Sequence, residues 1–292
     1  ILIKEGFTVS GSDTKESPLT KKLVSEGAHI IYGQKAENIT RDIGCVVYTA
    51  AINRNNPELI EAVALKIPML TRAELLGQLM KNYDTPIAVS GTHGKTTTTS
   101  MISHILLEGD LDPTISVGGI LKAIGGNIRV GNSGTFITEA CEYTNSFLHF
   151  FPKISVILNI EEDHLDFFKD LEDIRHSFHQ FAELLPEDGT LIINAEIKDY
   201  AEIYEGLSCN VVTYGTNGCF DYSAKNITYD ENGHVAFDLF RRGEYADHIQ
   251  LSVTGDHNVS NALSAIAVAD ILGLSIDITK RGLLLSLIHI SE

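Results

Sequence analysis

The sequence of 292 residues is 43% hydrophobic and 21% charged, which is typical of a globular protein with about two domains. Its formal net charge is −17, from 22 basic and 39 acidic residues, and no basic cluster stands out. This balance argues against a general nucleic-acid-binding protein. No apolar run reaches the roughly 18 residues that cross a bilayer, and no secretory signal is visible. We therefore expect a cytoplasmic protein without membrane insertion or a nucleic-acid partner.

The cysteines show no spacing typical of a metal or redox motif, and they fit a reducing cytoplasm. They are Cys45, Cys141, Cys209 and Cys219. Cys45 follows Gly44 and opens an apolar run, which predicts a buried structural thiol at that position.

The first part of the chain, to about residue 85, alternates strand and helix signals as in a βαβ pattern. Strands are predicted at residues 7–10, 29–33 and 45–48, and helices at residues 17–26, 57–65 and 72–81. Gly27 is a predicted helix stop and Pro57 a predicted helix start. We expect a truncated Rossmann-like domain over residues 1–85.

A second α/β region begins near Thr85 and Pro86. Strands of the buried type are predicted at residues 87–90, 135–138, 154–158 and 190–194, and helices at residues 97–108, 171–185 and 258–272. Alternating segments between residues 222 and 253, with turns at Gly233 and Gly243, predict antiparallel strands. The expected fold class is α/β, with a mostly parallel sheet and a small antiparallel appendage.

A glycine-rich loop joins the first strand of this region to its first helix. The loop and the first helical turn consist of Gly91, Thr92, His93, Gly94, Lys95, Thr96 and Thr97. Backbone N–H groups in such a loop bind phosphate oxygens, Lys95 can reach the β- and γ-phosphates, and the Thr96 hydroxyl can ligate Mg²⁺. Val89 stands where the strict Walker pattern needs glycine, so the motif is a shorter one. The alternative is a glycine turn without a ligand, in which His93 only shapes the loop.

Acidic and histidine side chains follow two further strands. Glu139 follows the predicted strand at 135–138, and His164 lies in the polar segment 159–166 after the next strand. In a parallel α/β sheet, ligands bind at the carboxyl ends of the strands, and Mg²⁺ prefers oxygen ligands. Together with the phosphate loop, these residues predict a metal-dependent phosphate site. From spacing alone, Glu139 could equally be a cap, His164 would favour capping the next helix, and most acids at 161–166 would lie at a solvated helix start.

A polar segment precedes the last predicted helix and contains His257, Asn258 and Asn261. Asn258 and Asn261 are three residues apart, so they share one helical face. An Asn amide offers both a donor and an acceptor, which suits the edge of an adenine. The alternative is a helix cap by Asp256 or Asn258, and spacing alone favours the cap.

These ordered motifs resemble those of the Mur ligases. The main matching segments are residues 91–99, 139–148, 159–166 and 255–262, with further matches at residues 9–13, 48–52, 67–76, 112–114 and 118–119. They span nearly the whole chain in the expected order. Four ordered motifs are much more specific than a single loop.

The resemblance implies a role for each candidate residue. Lys95 is expected to bind phosphate. Thr96 and Glu139 are expected to ligate one Mg²⁺, and His164 a second one. Lys95, Glu139 and His164 would then carry the catalysis. The residues expected to contact the adenosine of ATP are His257, Asn258 and Asn261.

The resemblance also implies three domains, which bind a UDP-sugar, ATP and an amino acid in turn. Residues 1–85 correspond to a partial UDP-sugar-binding domain, and residues 86–283 to the central ATP-binding domain. The family's first glycine-rich loop and its third domain are not recognised in the sequence, so we expect a fragment that lacks both ends. Residues 284–292 do not resemble the expected continuation, and we assign them no function.

Mur ligases phosphorylate a carboxylate with ATP and then displace the phosphate with an amine. The motifs are most similar to those of members that join L-alanine to UDP-N-acetylmuramate, an ADP-forming step of peptidoglycan synthesis. The alternatives are a murein tripeptide ligase of peptidoglycan recycling, a folylpolyglutamate-type ligase, and a nucleotide-binding module without ligase activity. The fragment alone is expected to bind ATP and Mg²⁺ weakly without ligating, and a homodimer stays open. Lys95→Ala is expected to remove ATP binding while leaving the fold intact.

Overall fold

The computed structural model describes residues 1–49 and 52–286. Two parts of the sequence interpretation lie outside these ranges. They are Ala50 and Ala51 of one matching segment, and residues 287–292 of the expected non-matching tail. Within the described ranges, no helix is both long enough and apolar enough to cross a membrane.

The chain divides into two compact units, Ile1–Leu76 and Gly77–Glu292. The strands of the first unit are β1 (Ser10–Asp13), β2 (His29–Tyr32), β3 (Val46–Tyr48) and β4 (Met69–Thr71). Its helices are α1 (Pro18–Ser25), α2 (Pro57–Ala64) and α3 (Arg72–Met80), the last of which continues into the second unit. β1 pairs with β2 and β3 pairs with β4, both in parallel, as the expected βαβ pattern requires.

The helices α1 and α2 begin where the sequence signals predicted. Ser17 caps α1 by accepting a hydrogen bond from the N–H of Thr20. Asn56 caps α2 in the same manner, directly before Pro57. Short polar side chains satisfy the free N–H groups of a first turn, and proline suits the first position because it has no N–H. Gly27 follows α1 with a φ of +105°, which confirms the predicted stop.

Two expectations for the first unit are wrong. The first strand begins at Ser10 rather than Phe7, because pairing with β2 starts where Ser10 meets His29, and Phe7 is 62% exposed. Pairing with a neighbouring strand has overridden the apolar character of residues 7–9. Cys45 is exposed rather than buried, since the strand that follows it belongs to a two-stranded sheet and is only partly covered.

The second unit is built on a long sheet with helices packed against it. Its strands are β5 (Thr85–Ser90), β6 (Thr114–Leu121), β7 (Gly126–Arg129), β8 (Thr135–Ala140), β9 (Ile154–Ile157), β10 (Thr190–Asn194), β11 (Asn210–Gly215), β12 (Tyr222–Tyr229), β13 (His234–Arg241) and β14 (Glu244–Thr254). Its helices are α4 (Lys95–Glu108), α5 (Leu171–Glu183), α6 (His257–Ile271) and α7 (Ile276–Leu285). Short 3₁₀ turns lie at residues 122–124, 143–149 and 200–204.

Over the described residues this sheet has ten strands in the order β14-β13-β12-β11-β10-β9-β5-β8-β6-β7. The pairs from β6 through β8, β5, β9, β10 and β11 to β12 are parallel. β7 at one edge and the β12–β14 meander at the other pair in the antiparallel direction. The predicted α/β class, with a mostly parallel sheet and an antiparallel appendage, is therefore confirmed.

The core of the second unit joins this sheet to the helices. One hydrophobic cluster contains Val89 of β5 and Val156 of β9 together with Ile102 of α4 and Ile266 of α6. Outside that cluster, the Phe178 and Phe181 rings of α5 pack on Phe147, with centroids 5.4 and 4.7 Å away. Burial of these side chains on both the helices and the strands keeps the strand ends of the central sheet in fixed positions.

Candidate phosphate-binding site

The carboxyl ends of three neighbouring strands form one edge of the sheet. β5 lies between β9 and β8, and Ser90 at its end pairs with both Ile157 of β9 and Ala140 of β8. The segments that follow these residues therefore leave the sheet at the same level. This edge is where parallel α/β sheets bind their ligands. It brings together the three strand-end motifs that the sequence analysis singled out.

The loop after β5 requires glycine at Gly91. Its φ is +147°, and a Cβ atom there would lie 2.9 Å from the Cβ of Leu158 and 3.2 Å from the N of Asn159. Gly94 then begins α4 with a φ of +83°. The first N–H groups of a helix have no partner inside the helix, so they can bind an anion. The loop thus delivers free main-chain donors to the sheet edge.

The residues after β9 hold the loop in place. The N–H groups of Thr92 and His93 donate to the main-chain and side-chain oxygens of Asn159, at 3.2 and 2.7 Å. The Asn159 amide donates in turn to the carbonyl of His93, at 3.1 Å. The N–H of Glu161 donates to the hydroxyl of Thr92, at 3.0 Å. Thr92 therefore shapes the loop through both its main chain and its hydroxyl, whereas the His93 ring is exposed.

The Lys95 ammonium is enclosed by acceptor oxygens. It donates to the carbonyls of Gly91 and Thr92, and it forms an ion pair with Glu142 at 2.9 Å. The side chain of Lys95 is 16% exposed and that of Glu142 only 3%. Glu142 was not predicted from the sequence, because nothing in its local pattern distinguishes it from other acids. The signal available was its place in the matching segment 139–148.

Thr96 and Glu139 form a second pair beside Lys95. The Thr96 hydroxyl donates to Oε2 of Glu139 at 3.0 Å, and the N–H of Gly118 donates to Oε1 at 2.6 Å. Glu139 lies within β8 rather than after it, because β8 continues to Ala140. Mg²⁺ binds hard oxygen ligands and needs only one or two carboxylates when phosphate and water complete its shell. A hydroxyl and a carboxylate in contact at the sheet edge fit that requirement.

His164 lies at the same edge, next to Glu142. Its Nε2 is 3.9 Å from Oε1 of Glu142 and 3.8 Å from a carboxylate oxygen of Asp163. The ring of Tyr143 lies beside it, tilted by 31° with centroids 4.5 Å apart, and the Tyr143 hydroxyl donates to Asp166 at 2.8 Å. Glu142 therefore stands between the two cationic or metal-ligating candidates, Lys95 and His164.

The capping alternatives for this segment are wrong. α5 begins at Leu171, and Asp170 caps it by accepting a hydrogen bond from the N–H of Asp173. His164 is therefore not the cap of the next helix. The acids at 161–166 lie in the loop between β9 and α5, where His164 has a φ of +52°, and not at a helix start.

The start of α6 is held by amide hydrogen bonds. Asp256 precedes it, but its side chain makes no capping hydrogen bond and instead accepts one from a tyrosine hydroxyl of β12. Asn258 lies inside the helix and donates to the carbonyl of Thr254 at 2.7 Å. Asn261 donates to the Asn258 side chain at 3.0 Å. The capping interpretation of this motif is therefore wrong. Asp256 makes no capping hydrogen bond, and Asn258 and Asn261 lie inside the helix.

The structure brings one of the predicted adenosine contacts to the phosphate loop. A Cβ atom on Gly94 would lie 2.9 Å from Oδ1 of Asn261, so the Asn261 carboxamide rests against the loop. Asn258 and Asn261 are both buried, whereas His257 is exposed at the start of α6 with its ring over Gly255. Thr97 is partly buried in the first turn of α4.

The geometry of this site defines a class of protein. A parallel sheet whose central strand leads through a glycine-rich loop into a helix, with a lysine and a threonine in the first turn, is the arrangement of phosphate-loop α/β domains. Residues 89–269 match the Mur ligase middle domain, and residues 1–84 match the Mur ligase family, catalytic domain. The chain belongs to the Mur ligase family, whose members are ATP-dependent.

Relatives with known names give the same assignment. UDP-N-acetylmuramate–L-alanine ligase of Agathobacter rectalis is 59% identical over 283 residues, which cover 97% of this chain and 62% of the relative. The solved UDP-N-acetylmuramate:L-alanyl-gamma-D-glutamyl-meso-diaminopimelate ligase from Neisseria meningitides has a TM-score of 0.86 at 26% identity, covering 100% of this chain and 93% of that one. UDP-N-acetylmuramate-alanine ligase MurC from Thermotoga maritima has a TM-score of 0.81 at 28% identity, covering 96% and 63%. The chain thus spans less than two thirds of the length of the curated relative.

Proposed function

We propose that this chain is part of a cytoplasmic ADP-forming ligase that joins L-alanine to UDP-N-acetylmuramate in peptidoglycan synthesis. The observation that carries the proposal is the meeting of Lys95, Thr96 and Glu139 at one sheet edge. The choice of substrates is supported by 59% identity to a relative named for this activity. Because the chain covers 62% of that relative, the activity is proposed for the whole protein to which the chain belongs.

In this proposal the loop and the start of α4 bind the phosphates of ATP. The free N–H groups of the first helical turn face the phosphate oxygens, and Lys95 contributes the positive charge. Thr96 and Glu139 would hold one Mg²⁺, and His164 would hold a second. Such ions, when bound, would supply positive charge against the negative charge that develops during phosphoryl transfer. His257, Asn258 and Asn261 are the proposed contacts of the adenosine.

The proposed reaction activates a carboxylate, which by itself is a poor acyl donor. A carboxylate oxygen of UDP-N-acetylmuramate attacks the γ-phosphorus of ATP, forming an acyl phosphate and releasing ADP. The amine of L-alanine then attacks the acyl carbon, forms the amide bond and releases phosphate. Lys95 stabilises the negative charge on the transferring phosphoryl group, because an ammonium in a half-buried site is weakly screened.

The test is ADP release by the full-length protein with UDP-N-acetylmuramate and four acceptors: L-alanine, glycine, L-serine and murein tripeptide. Release driven by L-alanine supports the proposal. A matched pair of variants, Thr96→Ala at the site and Thr228→Ala on the exposed part of β12, should differ, with activity lost only in the first. Absence of release with every acceptor would contradict the ligase and leave a nucleotide-binding module.

A second candidate is a murein tripeptide ligase of peptidoglycan recycling. It is supported by the TM-score of 0.86 with the tripeptide-named ligase from Neisseria meningitides, over the whole of this chain. The same assay separates the two candidates, because ADP release driven by tripeptide and not by L-alanine would move the protein to recycling.

A further inference from the structure

The roles proposed so far do not explain why Glu142 is buried beside the phosphate loop. Glu142 is 2% exposed, and a carboxylate removed from water is strongly destabilised unless positive charge or hydrogen bonds compensate it. Its compensation comes from Lys95, whose Nζ lies 2.9 and 3.2 Å from the two carboxylate oxygens. His164 is its other neighbour, with Nε2 3.9 Å from Oε1.

The donors of Lys95 are already in use. An ammonium has three N–H donors. Within the described part of the chain, four acceptor oxygens surround it: the carbonyls of Gly91 and Thr92 and both oxygens of Glu142. A phosphate oxygen can therefore bind Lys95 only by replacing one of these acceptors.

Glu142 is the acceptor that can be replaced. The carbonyls of Gly91 and Thr92 belong to a loop fixed by close packing at Leu158 and by hydrogen bonds to Asn159. The carboxylate of Glu142 is a side-chain group that can change rotamer. It also carries the same sign of charge as a phosphate, so the two repel each other when both approach Lys95.

We propose that Glu142 is a positioning residue that pairs with Lys95 and gives it up to the phosphates of a nucleotide when one binds. The inference rests on the proposed nucleotide site. In the bound state, Lys95 keeps its contacts with the loop carbonyls and exchanges the carboxylate for phosphate oxygens. Since the nucleotide must displace a buried ion pair, Glu142 lowers the affinity for ATP. Removing its charge should therefore tighten binding.

The test is calorimetric titration of the 292-residue chain with ATP, ADP, AMP and adenosine in saturating Mg²⁺. Glu142→Gln keeps the size and an acceptor oxygen but removes the charge. We expect its dissociation constant for ATP to fall about tenfold, which corresponds to about 1.4 kcal/mol. The gain should shrink from ATP to ADP to AMP and vanish for adenosine, because only phosphates compete for Lys95. A general change in the shape of the site would alter adenosine binding as well.

Two further variants control for charge and folding. Glu162→Gln removes an exposed acid from the loop after β9, and it should change the dissociation constant for ATP by less than about twofold. Glu142→Asp keeps the charge on a shorter side chain, so it should tighten ATP binding less than Glu142→Gln does. Circular dichroism melts show whether each variant is folded. If Glu142→Gln does not fold, the ATP affinity of Glu142→Asp is the test. Affinity for ATP equal to or weaker than that of the wild type would then overturn the proposal.

The inference and the proposed function fail in different ways. Unchanged or weaker ATP binding by folded Glu142→Gln overturns the role of Glu142 while leaving the site assignment intact. So does equal tightening for ATP and adenosine. Equal ATP affinity in the wild type and Lys95→Ala overturns the phosphate site itself, and the inference about Glu142 with it.

Discussion

The two halves of the proposed nucleotide site are held together by different forces. The phosphate loop depends on close packing at Gly91 and on a largely buried ion pair between Lys95 and Glu142. The start of α6 depends on neutral amide hydrogen bonds through Asn258 and Asn261. The affinity that charged groups give a site depends on the charge of the ligand, whereas the affinity that amides give depends on its shape and its hydrogen-bonding groups. Variants of the loop should therefore discriminate by phosphate number, and variants of α6 should not.

The largest effect is expected for Lys95→Ala, the variant that breaks the charged half. ATP affinity should fall about a hundredfold, since truncating a hydrogen-bonded charge partner typically costs about 2–5 kcal/mol. The structure also revises the expectation of an intact fold, because Glu142 would be left buried without its cation. We expect the free energy of unfolding in urea to fall by about 3 kcal/mol.

A double variant separates these two losses. Adding Glu142→Gln to Lys95→Ala should restore most of the stability and none of the ATP affinity. Lys169→Ala, at an exposed lysine, is the control and should change stability by less than about 0.5 kcal/mol. Unchanged stability of the single variant would show that Glu142 does not depend on Lys95.

Glycine substitutions test the close packing of the loop. Gly91→Ala would place a Cβ 2.9 Å from Leu158 and force a positive φ on alanine, so stability should fall by about 2–3 kcal/mol. Gly94→Ala meets side-chain atoms of Asn261, whereas the Cβ at Gly91 also meets main-chain atoms, so Gly94→Ala should cost less. Gly206→Ala has a positive φ in open space and reports the backbone strain alone. Equal urea midpoints for all three variants would contradict the importance of packing at Gly91.

Asn261→Ala addresses the neutral half. It removes the hydrogen bond to Asn258 and the amide beside Gly94, so stability should fall by about 1 kcal/mol. ATP and adenosine should both bind about tenfold more weakly, since a lost hydrogen bond in a buried site costs about 1–3 kcal/mol. Asn82→Ala, at an exposed turn, should bind both ligands normally. If Asn261→Ala weakened the binding of ATP but not of adenosine, the α6 half would respond to phosphate as the loop does, which would contradict the proposed difference between the two halves.

The smallest effect concerns pH and a residue of α4 that has no proposed ligand role. Burial lowers the pKa of His104 below its ordinary value of 6.5, so the folded chain favours the neutral ring. The resulting stability is present above pH 6.5 and is lost as the pH falls below it. His104→Gln should flatten this acid-side slope in urea titrations without changing ATP affinity at neutral pH. His176→Gln, at an exposed histidine, should keep the wild-type slope.

The sequence predicted those parts of the molecule that depend on neighbouring residues. The strand before Gly91, the helix after Gly94, the helix start at Pro57 and the helix stop at Gly27 all follow from local patterns, and the structure confirms them. The order of the motifs along the chain then pointed to the Mur ligases by resemblance. The α/β class and the resemblance to the Mur ligases could therefore be predicted without knowing any contact between distant residues.

Long-range contacts explain what the sequence did not predict. Glu142 is 47 positions from Lys95, and the turn that follows it at 143–149 contains left-handed residues, which no periodicity predicts. The strand at Ser10–Asp13 is polar and exists because β2 pairs with it. Because α5 begins only at Leu171, His164 lies in a loop. Its contacts there include residues distant in the sequence, which the local pattern does not predict.

The expected domain division near residue 85 stays a prediction. The two family matches meet between residues 84 and 89, whereas the compact units divide between Leu76 and Gly77. The latter point falls inside α3, Arg72–Met80.

The most direct test of the central claim is a crystal structure of the chain with a non-hydrolysable ATP analogue and Mn²⁺, located by its anomalous scattering. We expect the triphosphate at the start of α4, with Lys95 on phosphate oxygens and a Mn²⁺ peak beside Thr96 and Glu139. A nucleotide bound elsewhere, or a metal ion away from these two residues, would contradict it.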